Sequence, residues 1–194
     1  MTNHSSDATS SRSVVAEPAH GLKQTTLALT LNEAKEPDHL HLEKRVSITM
    51  GPLNAQQHAQ QTIAHHANRD ALNNLAQQHL NAHATSMRHA QEAEGEGQSG
   101  VAHREHAQKE LNRANAYRQE ADLENLAGNY HFDMNRNENA LSLATTKRYK
   151  AAQHAGTRKG ERYQAEEDAA TREAAVHATN AAVKLQQLQP FLTR

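Results

Sequence analysis

Histidine is the residue type in this chain best suited to chemistry, at 15 of 194 residues. In "QQHLNAHATSMRH", residues 77 to 89, His79 and His83 stand four apart, a spacing that puts two imidazoles on one helix face within reach of a single metal ion. A catalytic zinc site also needs a third ligand and a nearby general base, as in HExxH, and no such pattern follows. With this many histidines one pair four apart arises by chance. The expectation is therefore a solvated helix face at His79 and His83 and no bound metal. His103 and His106, flanking Glu105, are explained by abundance in the same way.

A collective role is a sharper idea. Between Pro52 and Gln91 the only formally charged residues are Arg69, Asp70 and Arg88, while His58, His65, His66, His79, His83 and His89 lie among Gln and Asn. Such a helix meets little repulsion from a partner at neutral pH and becomes strongly cationic near pH 6. It could therefore face a partner and let go in acid. The plainer reading is a biased composition that leaves a neutral surface.

Little other chemistry is encoded. There is no Cys, which removes thiolate metal sites, disulfides and Cys nucleophiles. Walker, dinucleotide-binding, nucleophile-elbow and kinase motifs are absent. "EAEGEG", with Glu92, Glu94 and Glu96, lacks the ligand spacing of an EF-hand and reads as a solvated acidic loop. Glu166 and Glu167 lie among Lys and Arg on a charged helix face. The reading assigns no catalytic, cofactor-binding or metal-ligating residue, no cofactor, and no enzymatic activity. The 21 basic and 22 acidic residues balance, so no nucleic-acid partner is implied, and a small-molecule ligand is not expected.

The elements that carry these residues are mainly helical. Leu, Ile, Val and Phe total 28 against 34 Ala, too few large apolar side chains for a broad core and well suited to helices meeting along narrow seams. Residues 1 to 22, polar and rich in Ser and Thr, read as a disordered arm without the apolar run of a secretory signal. Over 23 to 50, Leu27, Leu29 and Leu31, then Leu40, Leu42, Val46 and Ile48, alternate with polar residues on either side of Pro37-Asp38, the pattern of a β-hairpin. Residues 51 to 194 read as long antiparallel helices, a helical hairpin or coiled-coil-like bundle.

Helices are expected at about 53–93, 101–155 and 161–189, the second with a bend or short loop near 128–137 where Gly128 and "NYHFDMNRNEN" weaken it. Glycines in "EGEGQSG" and "GTRKG" mark the reversals. The expected apolar lines are Ile63, Ala67, Ala71 and Leu75 beside Leu72, Ala76, Leu80, Ala84 and Met87 in the first helix. In the second they run from Ala127 through Tyr130, Met134, Asn137, Leu141, Ala144, Arg148 and Ala151 to Ala155, and in the third from Ala174 through Ala178, Ala181, Leu185 and Leu188 to Leu192. "AYRQEA", "RYKAAQ" and "RYQAEE" are unequally spaced, so they read as similar helical surfaces and not as a solenoid repeat.

The functional expectation is a non-enzymatic structural or assembly protein working by helix packing and strand addition, such as a component of a virion, injection device or secretion machine. Partner contacts are expected at Leu27, Leu29, Leu31, Leu40, Leu42, Val46, Ile48, Leu141, Leu185 and Leu188, with a second copy or other subunits as partner. The alternatives are an exported effector or adaptor addressed by its N-terminal arm, and a hydration-stress protective protein. No stretch reads as a membrane span. The expected location is soluble, in the cytoplasm or an assembled particle, with export by a specialised system as the variant.

Overall fold

The computed structural model describes Ile48 and residues 52 to 192. The expected arm at 1–22 and, apart from Ile48, the expected hairpin at 23–50, and with them Leu27, Leu29, Leu31, Leu40, Leu42 and Val46, lie outside the described residues.

Three helices follow in order: α1 (Ala55–Gly95), α2 (Val101–Gln153) and α3 (Arg158–Leu188), closed by a short 3-10 turn, η1 (Gln189–Phe191). Their 41, 53 and 31 residues correspond to lengths of about 60, 80 and 45 Å. The sequence supplies their starts and stops. Asn54 accepts a hydrogen bond from the Gln57 amide while the Gln57 side chain accepts one from the Asn54 amide, both at 2.9 Å, so two otherwise orphaned donors are satisfied. The Thr157 hydroxyl accepts from the Gly160 amide at 3.2 Å, which is why α3 starts at Arg158, earlier than its apolar line. Gly97 and Gly156, at φ +75° and +74°, take the left-handed conformation that each reversal requires.

Partner residues show that neighbouring helices are antiparallel. Along α1 and α2 the pairs Ala55–Asn135, His58–His131, His65–Glu124, His79–Glu110 and His83–Ala107 run in opposite directions. Asp133–His177, Asn137–Ala174 and Arg148–Glu167 do the same for α2 and α3. Among the described residues α1 and α3 each pack on α2 and not on each other. Residues 101 to 135 of α2 therefore carry α1, and residues 123 to 153 carry α3.

Apart from Leu123, Tyr130 and Leu188, every buried apolar residue described is alanine. On α2, Ala107, Ala114, Ala121 and Gly128 follow one another at intervals of seven and bring the α1 backbone close. Among the described residues one cluster contains large side chains. Leu123, Ala127, Tyr130, Ala181 and Leu188 form it, with Ile48, Leu126, Met134, Leu185, Phe191 and Leu192 packed around them.

The structure departs from the expected apolar lines in one systematic way. In α1, Ile63 is 70% exposed and Ala67 and Ala71 are exposed, while the face against α2 carries His58, His65, Ala76, Ser86 and Ala90. The second expected line fares better, with Ala76 buried and Leu72, Leu80 and Met87 half-buried. α2 continues as helix through residues 128 to 137 with no loop. Two of its asparagines there are anchored, Asn135 to the Ala55 carbonyl at 2.6 Å and Asn137 to the Ala174 carbonyl at 2.8 Å, so side chains that would otherwise compete with the helix tie it to its neighbours.

Candidate functional site: a buried histidine cluster

An Ala-lined seam buries little apolar area, so polar side chains that enter it must find partners across it. On α2 the positions beside the small-residue line are Glu110, Tyr117, Glu124 and His131, again at intervals of seven. On α1 the facing residues are His58, His65, His79 and His83. The histidines therefore form part of the helix interface. This differs from the solvated face expected for His79 and His83: His79 Nδ1 lies 2.6 Å from Glu110 Oε2 with its ring stacked on Tyr117, and His83 Nδ1 donates to the Ala107 carbonyl at 2.8 Å. His89 is exposed and meets the edge of His103.

The densest grouping lies near the N-terminal end of α1. His131, fully buried, places its Nδ1 2.9 Å from His58 Nδ1. The His65 ring stacks on it at 5.4 Å, nearly parallel, and the Tyr130 ring meets it edge-on at 4.9 Å. His65 in turn holds Glu124 through Nδ1 at 2.7 Å. Gly128 makes room for the fourth imidazole, since a β-carbon there would come within 2.7 Å of His66 Cδ2. The Nε2 atoms of His65, His66 and His131 are buried with no hydrogen-bond partner.

These surroundings tune the acidities. Burial, reinforced by the neighbouring His65 and His58, pushes the His131 imidazole down to about 3, and burial lowers His58 against an opposing pull from Glu138. Burial also raises the Tyr130 phenol. At Glu110 burial works to raise the carboxyl, but hydrogen bonds and charges from His79 and Arg113 outweigh it and hold the group below the usual carboxylate range.

The α2–α3 seam is crossed by permanent charges instead. Asp133 is gripped by Lys184 and, at 3.0 Å, by His177 Nδ1. Arg148 reaches the buried Glu167 at 2.6 Å, and Lys147 pairs with Glu166.

Of the expected partner-contact residues that are described, Leu188 is 0% exposed, Leu185 and Ile48 are half-buried against the same cluster, and Leu141 is exposed. The cluster of His58, His65, His66 and His131 was not grouped by sequence reasoning. Its signal was available in the seven-residue interval from His58 to His65 and from Glu124 to His131. Among the described residues no set of three or more His, Asp or Glu side chains is disposed to hold a metal ion, and no helix is long and apolar enough to cross a membrane. No family model, curated protein or solved structure matches the chain.

Proposed function

We propose that this protein is a non-enzymatic assembly component that works by helix packing, with a second copy of the chain as its first partner. The observation that carries this reading is the stretch of α2 beyond α1. Past Asn135 the face that α1 covers runs on uncovered through Ser142 and Tyr149, and Tyr149 is 68% exposed. Leu141 and Leu143 on α2 and Val176 and Val183 on α3 add exposed apolar side chains. Near-zero net charge lets copies approach without long-range repulsion. The expected strand addition by residues 23 to 50 belongs to the same proposal, as does a place within a virion, injection device or secretion machine.

The test is molar mass by light scattering across micromolar concentrations. Association of the full chain, weakened by Leu143→Glu with Tyr149→Lys while helicity is retained, supports the reading. A single-chain mass throughout overturns it.

A further inference from the structure

We propose that the α1–α2 hairpin is a proton-operated clasp that opens from one end: mild acid frees the N-terminal turns of α1, around His58, from α2 while the turns beside the 96–100 loop stay closed. The contacts involved lie within one chain, so the clasp stands whether or not copies associate.

The two ends differ in what the imidazoles touch. At the far end His58 and His131 meet nitrogen to nitrogen, at 2.9 Å. One must donate and the other accept, so the contact needs at least one neutral ring, and a proton on both sets two N–H groups against each other. His65 stacks on the same ring, so each added proton there faces another imidazole. Among the described residues neither His58 nor His131 is bonded to a carboxylate that could welcome the charge.

The groups facing this site can be named from each element. From α1 come His58, His65 and His66. From α2 come Tyr130, Glu124, which is taken by His65, and Glu138, which pulls on His58 across a longer distance. Arg69 lies further along α1, hydrogen-bonded to Asp70 and Asn125. On the α3 side Asp133 is already held by Lys184 and His177.

At the loop end the two half-buried imidazoles of the seam, His79 and His83, point at oxygen, while His89 and His103 meet each other only at its solvent-exposed rim. His79 Nδ1 meets the Glu110 carboxylate at 2.6 Å, and His83 Nδ1 meets the Ala107 carbonyl at 2.8 Å. A protonated ring still donates to both acceptors, and the Glu110 pair gains charge assistance. Arg113 holds the same carboxylate at 2.7 Å. The contacts at the loop end are therefore compatible with acid and the contact at the far end is not, with the His65–Glu124 pair as the boundary.

The sign follows from linkage. Burial holds His58 and His131 below 6.5 in the closed state, and both recover that value when the end opens. The open form thus takes up as many as two more protons, and below pH 6.5 its population rises as pH falls, by up to about a hundredfold per pH unit.

Hydrogen exchange read by mass spectrometry on the full chain, at pH 7.5 and 5.0 with intrinsic rates corrected, tests this. Peptides within residues 55 to 64 are expected to lose protection at pH 5.0 at least tenfold more than peptides within 76 to 93. His131→Phe, which keeps a ring but removes one of the two protonation sites, is expected to reduce the difference markedly, and His58→Gln serves if that variant fails to fold at pH 7.5. Loss spread evenly along α1, opening that starts at the loop, or an unchanged acid response in the folded variant overturns the proposal. A single-chain mass by light scattering together with polarised opening would refute the assembly reading and leave the clasp intact.

Discussion

Asn137 of α2 donates its side-chain amide to the backbone carbonyl of Ala174 in α3 at 2.8 Å, in a part of the seam closed to solvent. The bond helps to fix the register of α3 along α2, because sliding would carry the Ala174 carbonyl away from that amide. Asn137→Ala is expected to cost about 1–3 kcal/mol, as a buried bond is lost without a substitute. Urea unfolding followed by circular dichroism measures it, and a cost near zero would show that the amide contributes nothing to the fit.

Leu188 is the largest apolar side chain fully enclosed by the described residues, and it anchors the end of α3 against Leu123 and Ala127. Truncation to alanine should cost about 2–5 kcal/mol, near the upper range for a core leucine if the site stays open. Leu143→Ala, at an exposed position on α2, should change single-chain stability by less than about 0.5 kcal/mol.

Gly128 presents two opposed effects. An alanine there gains helix propensity worth about 1 kcal/mol, yet its β-carbon would sit 2.7 Å from His66 Cδ2 and 3.3 Å from His65 Cβ. Overpacking of this kind costs about 1–3 kcal/mol, so Gly128→Ala is expected to be net destabilising. Adding His66→Ala should restore stability to at least the parent level, because the ring that is displaced is then gone. A Gly128→Ala protein that melts above the parent would show that the approach at this point is loose.

Glu110 bears on acid stability at the loop end. Its folded carboxyl lies below its ordinary value of 4.5, so its contribution is present above that pH and is lost as pH falls through the lower folded value. Glu110→Gln should therefore cost about 1–3 kcal/mol near pH 7, where a charged bond to His79 and Arg113 is replaced by a neutral one, and the gap to the parent should narrow as pH falls below 4.5. Thermal melts from pH 7.5 to 3.5 measure both arms, and a cost independent of pH would show that charge plays no part.

The helix spans were legible from composition and punctuation. Readings at about 53–93, 101–155 and 161–189 correspond to Ala55–Gly95, Val101–Gln153 and Arg158–Leu188, since glycine turns and uninterrupted Ala, Gln and Leu leave few alternatives. On α3 the buried face was legible too, with Ala174, Ala181 and Leu188 on the expected line. In α1 it was not. Apolar periodicity assumes that core positions are apolar, but His58 and His65 occupy them there because His131 and Glu124 wait across the seam. That pairing spans 73 residues for His58 and 59 for His65, and no local window contains both halves. Of the bend or short loop expected at 128–137, the loop is absent for the same reason: Asn135 and Asn137 read as helix breakers until their carbonyl partners on the other helices are known.

The absence of contact between α1 and α3 has a further consequence. Substitutions on the two outer helices should contribute additively to stability, since no shared neighbour relays a strain from one to the other. The exception is the length of α2 from 123 to 135, which both helices clasp: successive side chains there, Tyr130 toward one and His131 toward the other, touch ring to ring. Among the described residues, strain passed between α1 and α3 runs through that stretch of α2, and pairs of mutations flanking it are where additivity should break down.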